Sequence, residues 1–143
     1  MNMKGERQFV GYSKYRSRLV DGHVHTELCP HGSGDRTAMM IEKAIELRIE
    51  KVCLTEHAPL PTAFAAEYGG DKKAYDTASL KLNEVDTYLE LGRQLQRAYG
   101  THIDISLGFE VDYIPGFESD IQEFLDRYGP LTDDNILSVH FME

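Results

Sequence analysis

The sequence predicts an α/β fold in which parallel strands alternate with helices. Four short apolar segments are typical of strands, and three longer segments with helical spacing separate them along the 143 residues. Because each helix returns the chain to the same end of the sheet, this order predicts right-handed crossovers in a parallel sheet, either open or closed into a barrel. With 41% hydrophobic and 27% charged residues, the chain suits one globular domain.

The first strand is predicted within residues 18–26 (RLVDGHVHT), and a helix follows within residues 33–50. Ser33 or Asp35 is a candidate N-cap of that helix, because a short side-chain oxygen can accept a hydrogen bond from a free backbone N–H of the first turn. The apolar run at residues 51–57 (KVCLTEH) predicts a second strand, buried within the sheet.

Residues 58–76 interrupt the alternation with prolines, two adjacent glycines and no steady period. They predict a long loop with room for a helical turn. Loops of this length in compact domains often serve as lids or binding loops. Phe64, Glu67 and Tyr68 are therefore candidate substrate contacts, and loop packing is an equally good interpretation of each.

The remaining sequence continues the alternation of helix and strand. Residues 78–100 and 116–129 predict helices, and residues 102–114 and 135–142 predict strands. The first of these helices is expected to end at Gly100 and to bury a stripe of apolar side chains. That stripe consists of Leu82, Val85, Leu89 and Leu95.

Polar residues recur where the predicted strands end. His23 and His25 are two residues apart, so a strand directs both imidazoles to one face. Because sites in α/β folds form at the carboxyl ends of strands, we expect these side chains to share one metal site. Imidazole and carboxylate are ligands that suit zinc, manganese or iron. The candidate ligands are His23, His25, His31, His57, Glu110 and His140.

Each candidate taken alone has a structural interpretation. A single His-x-His is a weak signal, and His140 between apolar neighbours is more often a buried core histidine. Cys29 could in principle bind metal, but a single thiol among nitrogen and oxygen ligands is more often a small buried residue. His102 begins a strand, far from Glu110, and is interpreted as structural. The joint pattern favours metal.

Other residues near the strand ends have supporting roles or none. Glu56 and Asp112 are candidate partners that orient imidazole rings, or ordinary polar residues at strand ends. Cys53 lies inside an apolar strand and is expected in the core. Two cysteines do not make a disulfide framework.

The net charge of −9 makes some classes of binding partner less favourable than others. An acidic surface repels the nucleic-acid backbone, so a phosphate-tracking role on nucleic acid is disfavoured. The basic N-terminus lacks the apolar core of a signal peptide, and no apolar run approaches the length of a membrane span. We therefore expect a cytoplasmic protein with no nucleic-acid or membrane partner; the oligomeric state is left open.

Four stretches together resemble the PHP (polymerase and histidinol phosphatase) family. They are DGHVHTELCPHG, LTEHAPLP, GFEVDYIPGFE and ILSVHFME, and the similarity runs from about Leu19 to the end of the chain. The flanking CPHG, EHAPLP and FEVDYIPG favour the histidinol-phosphatase branch. The resemblance implies a distorted (β/α)7 TIM-like barrel that holds up to three divalent metal ions at the strand ends.

The resemblance also implies how the ligands divide. His23 and His25 would hold the first ion, Glu110 would bridge the first and second, and His140 would bind the second. His31 and His57 would bind the third ion. The family's further ligands, another histidine and an Asp-x-His pair, have no counterpart in this sequence.

We therefore expect residues 19–143 to be the N-terminal half of a PHP domain, preceded by an extension at residues 1–18. A complete barrel of this kind needs roughly 250 residues. The sequence stops after an apolar strand with no helix to cover it, so we expect a fragment of a longer protein. The isolated chain is expected to be inactive, because each ion would lack at least one ligand, and poorly soluble, because the open half-barrel would expose two sheet edges.

The resemblance implies that the intact enzyme hydrolyses L-histidinol phosphate, a small phosphomonoester, to L-histidinol and phosphate in histidine biosynthesis. Clustered cations neutralise the phosphate and supply hydroxide near neutral pH, so no protein nucleophile is assigned. Two alternatives remain open. One is a PHP phosphoesterase with another substrate, and the other is a non-catalytic metal-binding module.

Overall fold

The computed structural model describes residues 18–64 and 76–141. Its centre is a four-stranded sheet in which every neighbouring pair of strands is parallel and the spatial order follows the chain order. The strands are β1 (Val20–Val24), β2 (Lys51–His57), β3 (Asp104–Asp112) and β4 (Ile136–Ser138). The helices are α1 (Thr37–Glu46), α2 (Val85–Tyr99) and α3 (Glu118–Tyr128), with short 3-10 turns at Leu82–Glu84 and Gly129–Leu131.

The two central strands have one apolar face and one polar face. In the parallel register Leu54 pairs with Leu107, and His57 pairs with Glu110. Since successive residues of a strand point to opposite faces, the leucines and the two polar residues project from opposite sides of the sheet. Residues of β3 from Ile105 onward are buried, so this central strand is covered on both sides.

Aromatic side chains join α2 and α3 to the apolar face of β3. Phe109 lies between Tyr88 of α2 and Phe124 of α3, with ring centroids 5.1 Å from each. The Tyr88 hydroxyl is buried and donates to the carbonyl of Gly108 at 2.6 Å, with the carbonyl of Leu54 at 3.0 Å. This packing holds β2 and β3 rigidly beneath the polar residues at their ends.

The predicted cap of α1 is wrong. The helix begins at Thr37, and neither Ser33 nor Asp35 caps it; those two side chains hydrogen-bond to each other at 2.8 Å. The Thr37 backbone N–H instead donates to Glu27 Oε2 at 2.6 Å, and the Thr37 hydroxyl donates to the same oxygen. A carboxylate at a helix N-terminus also complements the helix dipole.

The predicted buried stripe of α2 is present except at its first member. Val85, Leu89 and Leu95 are buried, but Leu82 is 57% exposed. Leu82 lies in the 3-10 turn before α2, where three residues per turn replace 3.6, so the helical phase does not extend back to it.

The last strand, Ile136–Ser138, covers only part of the predicted range of residues 135–142. Before it begins, Asp133 Oδ2 and Asn135 Oδ1 accept hydrogen bonds from the backbone of β3 at 2.9 Å each. The same segment crosses β3 so closely that a Cβ on Gly108 would lie 1.5 Å from the Asp134 carbonyl oxygen. Residue 140 follows the paired strand instead of lying within it.

Only part of the predicted loop at residues 58–76 is described. Phe64 is buried, and its ring lies 5.5 Å from that of Phe117 and 4.8 Å from that of Phe141, so loop packing describes it better than substrate contact. Glu67 and Tyr68 lie outside the described residues, as do residues 1–17 of the predicted extension. Within the described ranges, no helix has the length and apolar character needed to cross a membrane.

Candidate metal centre

The carboxylate of Glu110 lies at the centre of four imidazoles. Its Oε2 is 3.0 Å from His23 Nε2, 3.3 Å from His25 Nε2 and 3.2 Å from His57 Nδ1. Its Oε1 is 3.3 Å from His140 Nε2. The two oxygens therefore face different histidines, and the side chain of Glu110 is only 3% exposed.

The parallel register explains why these residues meet. His57 is the last residue of β2 and pairs with Glu110, which in turn pairs with Ile136 at the start of β4. His23 lies in β1, His25 directly follows it, and His140 comes two residues after β4. All of these positions are at the carboxyl edge of one sheet, as predicted.

Within residues 18–64 and 76–141, two groups of three ligand atoms are close enough to hold an ion. In the first, the ligand atoms of His23, His25 and Glu110 all lie within 4.8 Å of one another. In the second, those of His25, Cys29 and His57 satisfy the same limit. Neither group includes His31, although its ring centroid is 4.9 Å from that of His57. The Nδ1 of His31 contacts the Thr77 carbonyl oxygen at 2.8 Å.

Glu56 anchors the imidazole of His25 from behind. Its side chain is fully buried, and Oε1 lies 3.1 Å from His25 Nδ1. Thr26 donates to Oε2 from its backbone N–H at 2.8 Å and from its hydroxyl at 2.7 Å. A carboxylate held in this way fixes the orientation of the ring and directs Nε2 of His25 toward Glu110.

Asp112 and Ser138 occupy the corresponding positions on the other side of the centre. Asp112 Oδ1 lies 2.7 Å from His140 Nδ1, and the Ser138 hydroxyl donates to Glu110 Oε1 at 2.6 Å. Burial raises the pKa of Asp112, and the neighbouring His140 opposes that rise. These contacts orient both the histidine and the central carboxylate.

Burial and neighbouring groups shift the pKa values of His57 and Glu110 so that one is neutral and the other is ionised. Burial, reinforced by the charge of His25, lowers the pKa of His57 to about 4, so its imidazole is neutral at pH 7. Burial opposes ionisation of Glu110, but hydrogen bonds from Ser138 and His23 outweigh it and lower its pKa. The centre therefore combines a neutral imidazole with an ionised carboxylate.

The pair formed by His25 and Glu56 favours the charged forms of both groups. The hydrogen bond to Glu56 outweighs burial and raises the pKa of His25. Burial opposes ionisation of Glu56, but hydrogen bonds from His25 and Thr26 lower its pKa. A cation that binds at His25 must therefore compete with a proton.

The donor set fits a divalent metal ion. Nitrogen and carboxylate oxygen are ligands for zinc, manganese and iron, and several of them converge at this edge within the span of one ion. His57 is 8% exposed, and its buried Nδ1 makes no hydrogen bond even though Glu110 Oε2 is 3.2 Å away. An ion would satisfy this nitrogen and neutralise the carboxylate together.

The other predicted residues lie where the sequence indicated. His102 borders an open cleft of about 690 Å³ at the amino edge of the sheet, with Arg18 and Asp104, and contacts Thr101 at 3.0 Å. Cys53 is buried within β2, and burial raises the pKa of its thiol. Neither residue takes part in the cluster around Glu110.

Sequence reasoning interpreted Cys29 as a small buried residue without placing it beside His25 and His57, and it missed Thr26 and Ser138. A signal was present for two of the three. Cys29 and His31 share one short turn, and Ser138 is two residues before His140, which is the spacing of a shared strand face. The contact of Thr26 with Glu56 is tertiary and has no local signature.

Comparison with known proteins agrees with this geometry. A sequence profile described as the PHP domain matches residues 21–143. The histidinol-phosphatase of Bacillus subtilis (strain 168) is 41% identical over 122 residues, which are 85% of this chain and 44% of that protein. A Deinococcus radiodurans protein named "Probable histidinol-phosphatase" is 27% identical over 124 residues, which are 87% of this chain and 43% of that protein.

A crystal structure from Listeria monocytogenes, of a protein assigned as a histidinol phosphatase, matches with a TM-score of 0.84 and 44% identity. The match covers 87% of this chain and 46% of that chain, so the chain spans less than half the length of these relatives. The four parallel strands thus correspond to part of a TIM-like barrel, which confirms the predicted half-barrel. With its profile match over residues 21–143 and these two similarities above 40% identity, the chain belongs to the PHP-domain family.

Proposed function

We propose that this chain carries the metal centre of a phosphatase that hydrolyses L-histidinol phosphate to L-histidinol and phosphate, a step of histidine biosynthesis. The observation that carries the proposal is the ring of four imidazoles around Glu110 at the carboxyl edge of the sheet. The 41% identity to the Bacillus subtilis histidinol-phosphatase supports the choice of substrate.

Up to three divalent ions, of zinc, manganese or iron, are proposed to bind at this centre. His23 and His25 would hold the first, and His140 the second. Glu110 would serve both, because its two oxygens face different histidines. His31 and His57 would bind the third ion, an assignment supported by the 4.9 Å separation of their rings.

Bound divalent cations would neutralise the charge of a phosphomonoester and lower the pKa of a water molecule so that hydroxide forms near neutral pH. The protein's own residues prepare for this. Glu110 is ionised, and His57 stays neutral and keeps a lone pair at pH 7. Glu56 holds His25, and Ser138 holds Glu110, so both ligands keep their orientation without reorganising.

A small anionic substrate is consistent with the charge of the chain. With a net charge of −9, the surface disfavours the nucleic-acid backbone, whereas cations at the cluster would attract a single phosphate group. We propose a cytoplasmic location for such a biosynthetic enzyme. We also propose that residues 19–143 form the PHP portion and residues 1–18 an extension.

The decisive experiment tests the metal centre of this chain within a protein of the full length of its relatives. Residues 21–143 of this chain replace the matching segment of the Bacillus subtilis histidinol-phosphatase, and the purified chimera is assayed for phosphate release. We expect turnover of L-histidinol phosphate in preference to a panel of nucleotides and phosphotyrosine, and loss of turnover in the Glu110→Gln chimera.

Each of the other functions corresponds to a different outcome. Preference for another ester in the panel would indicate a different PHP phosphoesterase. A folded, metal-loaded chimera without turnover would indicate a non-catalytic binding module. The 143-residue chain is assayed in parallel; we expect it to be inactive alone, and turnover by it would overturn that expectation while supporting the phosphatase.

A further inference from the structure

We propose that the thiolate of Cys29 is a ligand of the ion bound at His57, which makes that position a mixed sulfur and nitrogen site. This inference rests on the proposed metal centre and adds a ligand to it. It also assigns that position a preference for zinc or iron over manganese.

The first observation is the position of the sulfur. Cys29 is 7% exposed, and its sulfur lies within 4.8 Å of ligand nitrogens of both His25 and His57. A metal ion bound by thiolate and imidazole has bonds of about 2.3 and 2.0 Å, so the two ligand atoms lie at most about 4.3 Å apart, and small side-chain rotations would bring atoms within 4.8 Å to that distance. The turn thus offers a sulfur ligand in addition to the imidazole nitrogens around Glu110.

The second observation is independent and concerns His57. Its Nδ1 is buried and makes no hydrogen bond, although buried polar atoms are nearly always satisfied. The ring also stacks on His25 at a centroid distance of 4.3 Å and lies 4.9 Å from the ring of His31. Two histidines and the cysteine therefore lie around one small volume. The ring of His31 lies beside it, and Glu110 Oε2 borders it 3.2 Å from His57 Nδ1.

The backbone of the turn fixes the position of Cys29, whose N–H donates to the Thr26 carbonyl at 3.1 Å. Burial raises the pKa of the Cys29 thiol, so an ion that binds there must displace a proton. A Cβ on Gly32 would lie 3.2 Å from Cys29 Cβ and 3.6 Å from the sulfur, so glycine allows the turn to close around this side chain. The Gly32 backbone N–H closes the turn by donating to the Cys29 carbonyl at 3.1 Å.

Metal binding at this position exchanges a proton for a metal–sulfur bond. The thiol releases its proton to solvent as the sulfur donates an electron pair to the divalent ion, and no oxidation occurs. Soft thiolate favours zinc and iron, whereas manganese favours oxygen ligands. The cysteine therefore biases the choice of metal among ions that the histidines alone accept.

Cobalt(II) is the test probe, because it takes the same ligands and reports thiolate coordination by a charge-transfer band in the near ultraviolet. The 143-residue chain is titrated with Co²⁺ in parallel with Cys29→Ser and with Cys53→Ser as the matched buried-cysteine control. We expect the charge-transfer band in the wild-type chain and in Cys53→Ser, and its loss in Cys29→Ser. Circular dichroism checks that each chain is folded.

The outcomes separate this inference from the metal centre itself. Stoichiometric Co²⁺ with visible ligand-field bands but no charge-transfer band would overturn the role of Cys29 and leave the histidine site standing. Absence of Co²⁺ binding by a folded chain would overturn both. If the chain alone does not fold, the same substitutions are compared in the chimera, where the band must again depend on Cys29.

A competition measurement checks the proposed selectivity without any assay of turnover. Loss of a residue that merely supports a ligand already weakens metal binding roughly 10- to 100-fold, so loss of a ligand is expected to cost at least that much. We expect Cys29→Ser to lower Zn²⁺ affinity by at least ~10-fold and to change Mn²⁺ affinity far less. Equal loss for the two ions, or none, would contradict the thiolate.

Discussion

The two edges of the parallel sheet place acidic side chains in opposite surroundings. At the amino edge, Asp104 and Glu50 face Arg18 at 3.0 and 3.7 Å, and all three side chains are about half exposed. At the carboxyl edge, Glu56 and Glu110 are buried, and the nitrogens nearest to their oxygens belong to imidazoles. One edge pairs its acids with a permanent cation, whereas the other pairs them with histidine side chains.

This difference explains why only the carboxyl edge is a candidate metal centre. An exposed arginine pair is solvated and contributes little, so nothing further is required there. The buried carboxylate of Glu110 beside the neutral imidazole of His57 leaves negative charge in a region of low dielectric, where an external cation gains the most. Three substitutions and a pH series test whether the two edges differ in this way, and the expected effect decreases from Glu110 to Arg18.

Glu110→Gln should have the largest effect, because it removes the charge that four imidazoles surround. We expect metal affinity to fall by at least ~100-fold, beyond the loss usual for a supporting residue. Competition with a chromophoric chelator measures it. Glu50→Gln at the amino edge is the matched control and should leave metal affinity within a few-fold. Equal metal affinities in the two variants would contradict the proposed difference between the two edges of the sheet.

Glu56→Gln should weaken both stability and metal binding. In the wild-type chain, the Glu56 carboxylate accepts hydrogen bonds from Thr26 and from the His57 backbone N–H. A glutamine would turn its own N–H groups toward some of these donors, which would then lose their acceptor. We expect a loss of roughly 2–3 kcal/mol in the free energy of unfolding and roughly 10- to 100-fold in metal affinity. Chemical denaturation and the same chelator competition measure the two losses. Exposed Glu42→Gln should change neither, and a similar change there would contradict the anchoring role.

Acidification should release metal from the carboxyl edge while leaving the amino edge unchanged. The pKa of His25 is raised above its usual 6.5, so its protonated form competes with metal as the pH falls through that raised value. His57, with a pKa of about 4, adds no competition until lower pH. We expect affinity to fall roughly tenfold per pH unit for each competing histidine. Chelator competition at a series of pH values measures this, and a flat profile between about pH 7.5 and about pH 5.5 would contradict it.

Arg18→Ala should have the smallest effect. The Arg18 side chain is 53% exposed, so its pairs with Asp104 and Glu50 are screened by solvent. We expect a loss of about 0.5 kcal/mol in the free energy of unfolding, reduced further by salt, and no change in metal affinity. Urea denaturation at low and high salt measures it. A loss as large as that of Glu56→Gln would show that the amino edge is not merely solvated.

The strand order and the convergence of ligands were predictable because both follow from burial. The second strand has the predicted bounds, residues 51–57. A short apolar run of this kind is typical of a strand that is buried within a parallel sheet. His57 and Glu110 meet because register follows from that placement. Alternation along single strands was therefore sufficient to predict which side chains share an edge.

The features that sequence reasoning missed depend on contacts between distant segments. Glu27 caps α1 from ten residues away, and Asp133 and Asn135 accept backbone hydrogen bonds from β3 just before β4 begins. Leu82 is exposed because a 3-10 turn shifts the phase before α2. Local periodicity contains none of this information, and the closeness of Cys29 to His57 likewise appears only when the turn is folded.

The segment after β1 is fastened at two successive residues before it reaches Cys29. Thr26 binds Glu56 beneath the sheet, and Glu27 binds the first residue of α1. The backbone of this segment is thus held in place by contacts that do not involve a metal ion. If an ion binds there as proposed, its exchange for another ion would not require this segment to refold.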